Sequence, residues 1–184
     1  MNEASAGATP VQAIENLVLP ALVRIGQGWE KGKTALAQVY MAGRICEELV
    51  DSMLPAGVRE ARARHKMAIV VLEDFHMLGK RIVYSVLRAS GFDLLDYGRQ
   101  DVVGLVRRVE EDGIEVLFIS TLMLPSALRV AKAREKLDHR TRLVVGGAPF
   151  RLDEELWREV GADAMGRSAA DAIRIAQDLS GGRP

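Results

Sequence analysis

An aspartate and a histidine stand two positions apart in the stretch EDFHMLGK, residues 73–80. A carboxylate that close to an imidazole can accept the proton on one ring nitrogen, which fixes the tautomer and makes the other nitrogen more basic toward a metal. We therefore expect Asp74 to orient His76 as a metal ligand. Gly79 would let a bulky group approach the backbone at the start of the following helix. A loop histidine by itself is more often solvent-exposed or hydrogen-bonded than a ligand, so this assignment depends on the residues around it.

Two further stretches place short residues where a strand-like run ends. Ser120 and Thr121 follow one such run, and Gly146 and Gly147 end another. The simpler explanations are that the hydroxyls cap a helix beginning near Pro125 and that the glycines form an ordinary strand-to-helix turn. The alternative is that all four line a binding site together with the aspartate–histidine loop.

From residue 67 onward, strand-like apolar runs alternate with helical stretches. Such alternation is typical of βαβ units and of a parallel sheet covered by helices on both faces. We predict an α/β domain with a five-stranded, doubly wound sheet in the flavodoxin-like order, in which ligands bind beyond the carboxyl ends of the strands. The three candidate stretches all fall at that edge. The predicted strands are residues 67–72, 92–98, 115–120, 142–147 and 162–166, and the predicted helices are residues 81–90, 101–113, 125–139, 152–161 and 168–179.

The first 55 residues carry no strand signal, and their apolar residues recur with helical spacing. We predict three or four helices in residues 1–58. A linker is predicted in residues 59–66, which are strongly basic and lack an apolar stripe. The α/β domain then occupies residues 67–184.

The composition excludes several classes of function. Lys plus Arg and Asp plus Glu are equal at 25 each, so the chain lacks the net positive field that attracts nucleic acid or an acidic membrane. Cys46 is the only cysteine, which excludes an internal disulfide and suits a reducing compartment. The longest uncharged run near the middle is too short to span a bilayer, and the N-terminus does not resemble a secretory signal. We predict a cytoplasmic protein that binds neither nucleic acid nor a membrane.

The three candidate stretches together resemble the signature of the vitamin B12-binding, flavodoxin-like domains of corrinoid proteins, which reads Asp-x-His-x-x-Gly, Ser-x-Leu and Gly-Gly. Here the first part is Asp74–Gly79, the second is Ser120–Leu122 and the third is Gly146–Gly147, with 40 and 23 residues between them. Flanking phrases such as SGFDLLDYG, VVGGAPF and GADAMGRSAADAIRIA are similar as well. A three-part match in the right loops is far more specific than a single glycine-rich loop.

The resemblance implies a particular way of holding the cofactor, cobalamin. His76 would replace the cofactor's own benzimidazole base as the lower ligand of cobalt, the base-off/His-on state, with Asp74 as its hydrogen-bond partner. Ser120 would bond to the detached nucleotide tail or to the ligand network, and Gly146 and Gly147 would leave room for the tail beside the sheet. The other residues expected at the cofactor are Met77, Leu78, Gly79 and Leu122.

The chain departs from the usual pattern of this family at two positions of the loop. Many members carry a second acid where this chain has Met77, and a glycine is frequent where it has Glu73. We expect the methionine at position 77 to alter the tuning of the metal or the contacts with partner proteins, without abolishing cofactor binding. With Glu73 in place of a glycine, the family pattern does not fix the backbone path of the loop.

The stretch IGQGWEKGKTALAQVYMAGRICEELV resembles the four-helix cap that corrinoid methyl carriers, and the corresponding fragment of methionine synthase, place over the upper face of the corrin. Tyr40 and Met41 are then candidates for contact with that face. A helix stripe of such residues is nevertheless more often part of a core than a lid.

The two resemblances together imply a corrinoid carrier that accepts a methyl group on cobalt(I) from one methyltransferase and passes it to another, to tetrahydrofolate or a thiol. Its partners would be a donor-specific and an acceptor-specific methyltransferase and a reductive activator, and no catalytic residue of its own is predicted. The alternative is a sensor that binds cobalamin or haem through His76. A B12 light sensor is marked by Glu-His nine residues after a Trp, whereas here Trp29 is followed at that spacing by Val39 and Tyr40.

Overall fold

The computed structural model describes residues 10–18, 20–21, 24–25, 28, 32–53 and 65–179. The chain forms two compact units, Met1–Gly57 and Val58–Pro184. None of the described helices is long and apolar enough to cross a membrane.

The described part of the first unit is helical. A short helix, α1 (Pro10–Ala13), continues directly into a π-helical segment (Ile14–Val18), and the 18-residue helix α2 spans Leu36–Met53. Pro10 suits a helix start, because a proline has no N–H to leave unpaired there. The four-helix bundle predicted for residues 1–58 falls partly on residues outside the described ranges and stays a prediction.

A five-stranded parallel sheet forms the centre of the second unit, which confirms the predicted α/β architecture. Its strand order is β2-β1-β3-β4-β5, and every neighbouring pair is parallel. This is the flavodoxin-like, doubly wound order, whose topological switch point lies between β1 and β3. The strands are β1 (Met67–Leu72), β2 (Leu94–Gln100), β3 (Val116–Ser120), β4 (Arg142–Gly146) and β5 (Ala164–Gly166).

Helices connect the strands and cover both faces of the sheet. At the start of the helix after β2, the Asp101 side chain accepts the backbone N–H of Gly104 at 2.7 Å, which satisfies one of the donors that the first turn leaves unpaired. The helices of this unit are α3 (Leu78–Ala89), α4 (Val102–Asp112), α5 (Leu124–Lys136), α6 (Ala148–Leu152), α7 (Leu156–Glu159) and α8 (Ala169–Leu179).

Two of the helix predictions were wrong in their limits. The helix predicted at residues 81–90 begins three residues earlier, at Leu78, so that Gly79 lies in its first turn. The single helix predicted at residues 152–161 is instead the pair α6 and α7. Pro149 favours a helix start directly after β4, and Asp153 takes an extended conformation that ends this first short helix.

The sheet is buried between two apolar clusters. Alternate residues of a strand point to opposite faces. Leu117 and Ile119 of β3 therefore join the cluster under α4 and α5, whereas Val116 and Phe118 join the cluster under α3 and α8. All of β1 is buried, as expected for a central strand of a parallel sheet.

The strand register brings one row of residues together at the carboxyl ends of four strands. Ser120 pairs with Val71 on one side and with Gly146 on the other, and Gly146 pairs with Gly166. The two-residue period places Ser120 on the same face as Phe118, which is the face covered by α3 and α8. We call Val71, Ser120, Gly146 and Gly166 the carboxyl-edge row.

Candidate cofactor site

The loop between β1 and α3 is built around the side chain of Asp74. This side chain is almost completely buried, with 3% of the residue exposed. Its Oδ1 atom lies 2.6 Å from Nδ1 of His76 and accepts the backbone N–H groups of Phe75 at 2.7 Å and of His76 at 3.2 Å. One carboxylate oxygen thus fixes both the turn of the loop and one nitrogen of the imidazole ring.

The second carboxylate oxygen of Asp74 connects this loop to the loop after β3. Oδ2 accepts the backbone N–H groups of Leu122 at 2.8 Å and of Met123 at 3.0 Å. Sequence reasoning missed these two partners, because a backbone N–H leaves no mark in residue type. The contact joins two loops that are almost 50 residues apart in the chain and that meet only at the edge of the finished sheet.

The hydrogen bonds keep Asp74 ionised. Burial alone would raise the pKa of its carboxyl group, but the hydrogen bonds from His76 and from the backbone N–H groups of Leu122, Met123 and His76 lower the pKa from 3.8 to about 2. An ionised carboxylate can only accept hydrogen bonds, so the proton between the two side chains belongs to Nδ1 of His76. In a neutral imidazole with its proton on Nδ1, Nε2 is the nitrogen that can bind a metal.

The His76 ring is open to an external partner. Its side chain is 53% exposed, in contrast to the buried carboxylate that holds it. Three apolar side chains in the same two loops are also exposed, namely Phe75, Leu122 and Met123. A half-exposed imidazole among exposed apolar groups can receive a large ligand that has an apolar surface and a metal at its centre.

Arg99 supports the outer side of this loop. Its Nε donates to the backbone carbonyl of Asp74 at 3.1 Å, and its guanidinium group lies 4.0 Å from the centre of the Phe75 ring. A cation over an aromatic face is a favourable contact. Phe75 is 77% exposed, so this contact limits the positions that the ring can take beside His76. Sequence reasoning did not single out either residue.

The carboxyl-edge row forms a narrow strip of small residues on the other side of the loop. A Cβ atom added to Gly79 would lie 3.4 Å from Oγ of Ser120, and one added to Gly146 would lie 3.2 Å from the backbone oxygen of Gly166. Gly79, Ser120 and Gly146, three of the residues predicted from the motif, are therefore near neighbours. Because side chains are short here, little separates α3 and α8 from the sheet at its carboxyl edge.

The glycine at position 147 is required by the backbone itself. Its φ of 124° is one that L side chains rarely adopt, and an added Cβ would lie 1.7 Å from the backbone oxygen of Thr121. Gly147 thus allows the chain to turn from β4 into α6 against the loop after β3. This close approach accounts for the glycine whether or not a ligand binds nearby.

The hydroxyl residues after β3 do not cap the following helix. Met123 occupies the position before α5, and no side chain caps that helix start. Thr121 is instead buried, and its hydroxyl has no hydrogen-bond partner among the described residues. The helix-capping explanation for Ser120 and Thr121 was therefore wrong.

The remaining predicted residues lie at the margins of this arrangement or in the other unit. Met77 and Leu78 are partly exposed at the start of α3. Tyr40 and Met41 lie in α2 of the first unit, where the side chain of Met41 is exposed and that of Tyr40 falls outside what the structure describes. Their distance from the His76 loop stays untested.

Within the described ranges, three or more His, Cys, Asp or Glu side chains nowhere form a group that could hold a metal ion. A metal at His76 would therefore take fewer than three ligands of these types from the described residues. That suits a metal whose other ligands belong to a bound organic ring, and it suits a bare ion poorly.

Comparison with known proteins agrees with this arrangement. Two family models, both described as a B12 binding domain, match the chain: one covers residues 64–175 and the other covers residues 1–53. The fold and the first of these matches define a B12-binding protein, and the second match falls on the first unit.

The relatives narrow this class. A dimethylamine corrinoid protein of Methanosarcina acetivorans is 30% identical over 97% of this chain and 87% of its own length. A trimethylamine corrinoid protein of Methanosarcina barkeri is 30% identical over 94% of this chain and 83% of its own length. The chain belongs to the family of corrinoid proteins of methyltransferase systems.

Solved structures show the same fold. A monomethylamine corrinoid protein of Methanosarcina barkeri superimposes with a TM-score of 0.81 at 25% identity, over 96% of this chain and 86% of that one. A cobalamin-binding protein of Desulfitobacterium hafniense superimposes with a TM-score of 0.57 at 26% identity, over 95% of this chain and 85% of that one.

Proposed function

We propose that this protein carries a methyl group between two methyltransferases on the cobalt of a bound corrinoid. The observation that carries the proposal is the half-exposed His76 ring, held at Nδ1 by a buried, ionised Asp74. It lies at the carboxyl edge of a B12-binding domain whose relatives are named corrinoid proteins. When bound, the corrinoid supplies a cobalt atom that can accept and release a methyl group.

His76 is the lower ligand of that cobalt, in the base-off/His-on state. Because Asp74 holds the proton of Nδ1, the Nε2 atom carries the free electron pair. Four backbone N–H groups and one ring N–H share the carboxylate of Asp74, so the ring is oriented before the cofactor arrives. A ligand that is already in place loses little conformational entropy on binding.

The carboxyl-edge row receives the detached nucleotide tail between the sheet and the helices α3 and α8. Ser120 supplies a hydroxyl to the tail, and Gly79 and Gly146 add no side chain that the tail would have to displace. Leu122, Met77 and Leu78 line the approach with apolar surface. Gly147 leaves room for the tail and also keeps the loop after β3 close to β4.

Tyr40 and Met41 of the first unit cover the upper face of the corrin. The match of residues 1–53 to a B12 binding domain supports a role of this unit at the cofactor. The exposed side chain of Met41 supports the choice of this part of α2.

The partners of the protein are a methyltransferase for the donor, a methyltransferase for the acceptor and a reductive activator. Relatives named for dimethylamine and trimethylamine make a methylated amine the first donor to test. We propose tetrahydrofolate or a thiol as the acceptor.

The lower ligand is tested by electron paramagnetic resonance of the protein loaded with cobalamin and reduced to cobalt(II). An imidazole ligand splits each cobalt line into a triplet, which becomes a doublet when the protein is labelled with nitrogen-15 histidine. We expect this change in the wild type and in the matched variant His139→Ala, which removes an exposed histidine from the loop before β4. His76→Ala should lose the imidazole signal and bind cobalamin more weakly. If labelling with nitrogen-15 histidine leaves the wild-type spectrum unchanged, the assignment is refuted.

The carrier role is tested with the cobalamin-loaded, reduced protein, a methylated amine and a purified methylamine methyltransferase. We expect methylation of the bound cobalamin, seen by absorbance, only when donor and methyltransferase are both present. If no such donor and methyltransferase pair methylates the loaded protein, a methylated amine is not its donor. If methyl groups that are placed on it chemically also pass to no acceptor enzyme, the carrier role is wrong.

A further inference from the structure

Glu73, the residue directly before Asp74, has an unusual backbone conformation. Its φ is 46°, and it is the only residue other than glycine with a positive φ in the part of the chain that the structure describes. L side chains in this region are strained, because the Cβ atom comes too close to the following carbonyl group. Such a conformation persists only where surrounding contacts hold it.

The contacts that hold Glu73 come from three neighbouring elements. Its backbone N–H donates to the carbonyl of Gln100 at the end of β2, at 2.9 Å, and its carbonyl accepts the hydroxyl of Ser126 in α5, at 2.9 Å. Its carboxylate accepts Nε of Arg129 in α5 at 2.9 Å and lies 3.4 Å from the backbone N of Val102 in α4. The side chain and both backbone groups of one residue thus connect β1 to β2, α4 and α5.

Glu73 and Asp74 bind the same segment of the chain at two places. Asp74 accepts the N–H groups of Leu122 and Met123 just before α5, and Glu73 holds Ser126 and Arg129 within α5. A rotation of the turn at Glu73 would carry the Asp74 carboxylate away from those N–H groups. The direction of Asp74, and with it the His76 ring, therefore depends on the attachment of Glu73.

We propose that Glu73 is a positioning residue, whose ion pair with Arg129 fixes the turn that aims Asp74 and His76 at the cofactor. The proposal rests on the proposed role of His76 as cobalt ligand. A glycine at this position would adopt the same φ without strain. A glycine could not form the ion pair with Arg129 in α5, and this ion pair is what the glutamate contributes.

The first test uses the full chain without cofactor and follows amide hydrogen exchange by nuclear magnetic resonance. The reporters are the four N–H groups that donate to Asp74, those of Phe75, His76, Leu122 and Met123. We expect Glu73→Gly and Arg129→Ala each to speed their exchange at least about tenfold. The double variant should exchange little faster than either single variant, because both substitutions break the same contact between Glu73 and Arg129.

The matched controls are Glu111→Ala and Arg107→Ala, which remove an exposed ion pair on α4, where the two side chains lie 3.9 Å apart. These variants should leave the four reporters at the wild-type rate. Glu73→Gly removes the backbone strain at the turn, and Arg129→Ala breaks the ion pair without changing any residue of the turn.

The second test measures the imidazole signal of the cobalamin-loaded, cobalt(II) protein. We expect a smaller histidine-ligated fraction in Glu73→Gly and in Arg129→Ala than in the wild type and the controls, with partial recovery in Glu73→Gln, which keeps the shape of the side chain. Wild-type exchange rates, or a wild-type histidine-ligated fraction, in both Glu73→Gly and Arg129→Ala would overturn the proposal. If the wild type itself shows no imidazole signal, the proposed ligand fails, and the exchange rates decide separately whether Glu73 positions Asp74.

Discussion

At the scale of single residues, the site depends on a contrast between Asp74 and His76. The carboxylate is buried and receives five N–H groups, whereas the imidazole next to it is half exposed. A charge that is removed from water needs this many donors to remain favourable. The buried member of the pair therefore supplies rigidity, and the exposed member would supply the binding atom of the proposed cobalt site.

The lowered pKa of Asp74 predicts a particular dependence of stability on pH. Because its pKa is about 2 in the folded protein and 3.8 ordinarily, the carboxylate stabilises the fold above pH 3.8, by roughly 2 kcal/mol, and this contribution is lost as the pH falls through about 2. We expect Asp74→Asn to lower the free energy of unfolding by about that amount at pH 7, measured by urea unfolding without cofactor. The difference from the wild type should shrink between pH 4 and pH 2. Parallel stability curves for the two proteins over this range would contradict the prediction.

Residue types made the pairing of Asp74 with His76 foreseeable, but not the rest of the network. The spacing of a carboxylate and an imidazole in one loop is visible in the sequence, and so is the three-part motif around it. The N–H groups of Leu122 and Met123 are not, because any residue can supply them. The attachment of Glu73 to Arg129 was hidden for a related reason: two charged residues 56 positions apart are brought together only by the order of the strands.

At the scale of secondary structure elements, the loop after β4 is the most constrained connection of the site. It turns at Gly147, where φ is 124° and the backbone oxygen of Thr121 occupies the place of a side chain. The strands on either side were predictable, since buried parallel strands are continuous runs of apolar residues. The short helices α6 and α7 were not, because segments of four or five residues are too short to show a helical period.

Two glycine substitutions should show separately how much stability is lost to steric overlap and how much to backbone strain. Gly147→Ala should cost several kcal/mol of stability or prevent folding, because its Cβ would overlap the carbonyl of Thr121. Gly98→Ala should cost only about 1 kcal/mol, because φ is 62° there but no atom lies within 4 Å of the added Cβ. The measurements are the soluble yield and the urea midpoint of each variant without cofactor. Equal losses in the two variants would mean that the loops after β3 and β4 are not in contact in solution.

At the scale of the whole molecule, the chain divides into two units, and the second contains all of the proposed lower-ligand and tail contacts. The described members of the two apolar clusters all lie between residues 67 and 179. In the sequence, the change from helical spacing to alternating strands and helices was the basis for predicting a separate α/β domain from residue 67, and those domain limits stay a prediction. The number of helices in the first unit stays a prediction, since part of it lies outside the described ranges.

We predict that a fragment of residues 58–184 folds without the first unit. It should unfold cooperatively in urea and show the histidine signal when loaded with cobalamin and reduced, because Asp74, His76 and Ser120 all belong to it. It should protect the methylated cofactor from light less well than the full chain, if the first unit covers the upper face. A fragment that binds no cobalamin, or that lacks a cooperative transition, would show that the lower part of the site needs the first unit.

The carboxyl-edge row also has a consequence for how the protein is made. Its members come from β1, β3, β4 and β5, and Gly166 is in the last of these strands to leave the ribosome. Domains generally fold as units during synthesis. If the proposed nucleotide tail spans the complete row, it can be captured only after β5 has emerged and paired with β4, and the vitamin would then be loaded onto a finished sheet.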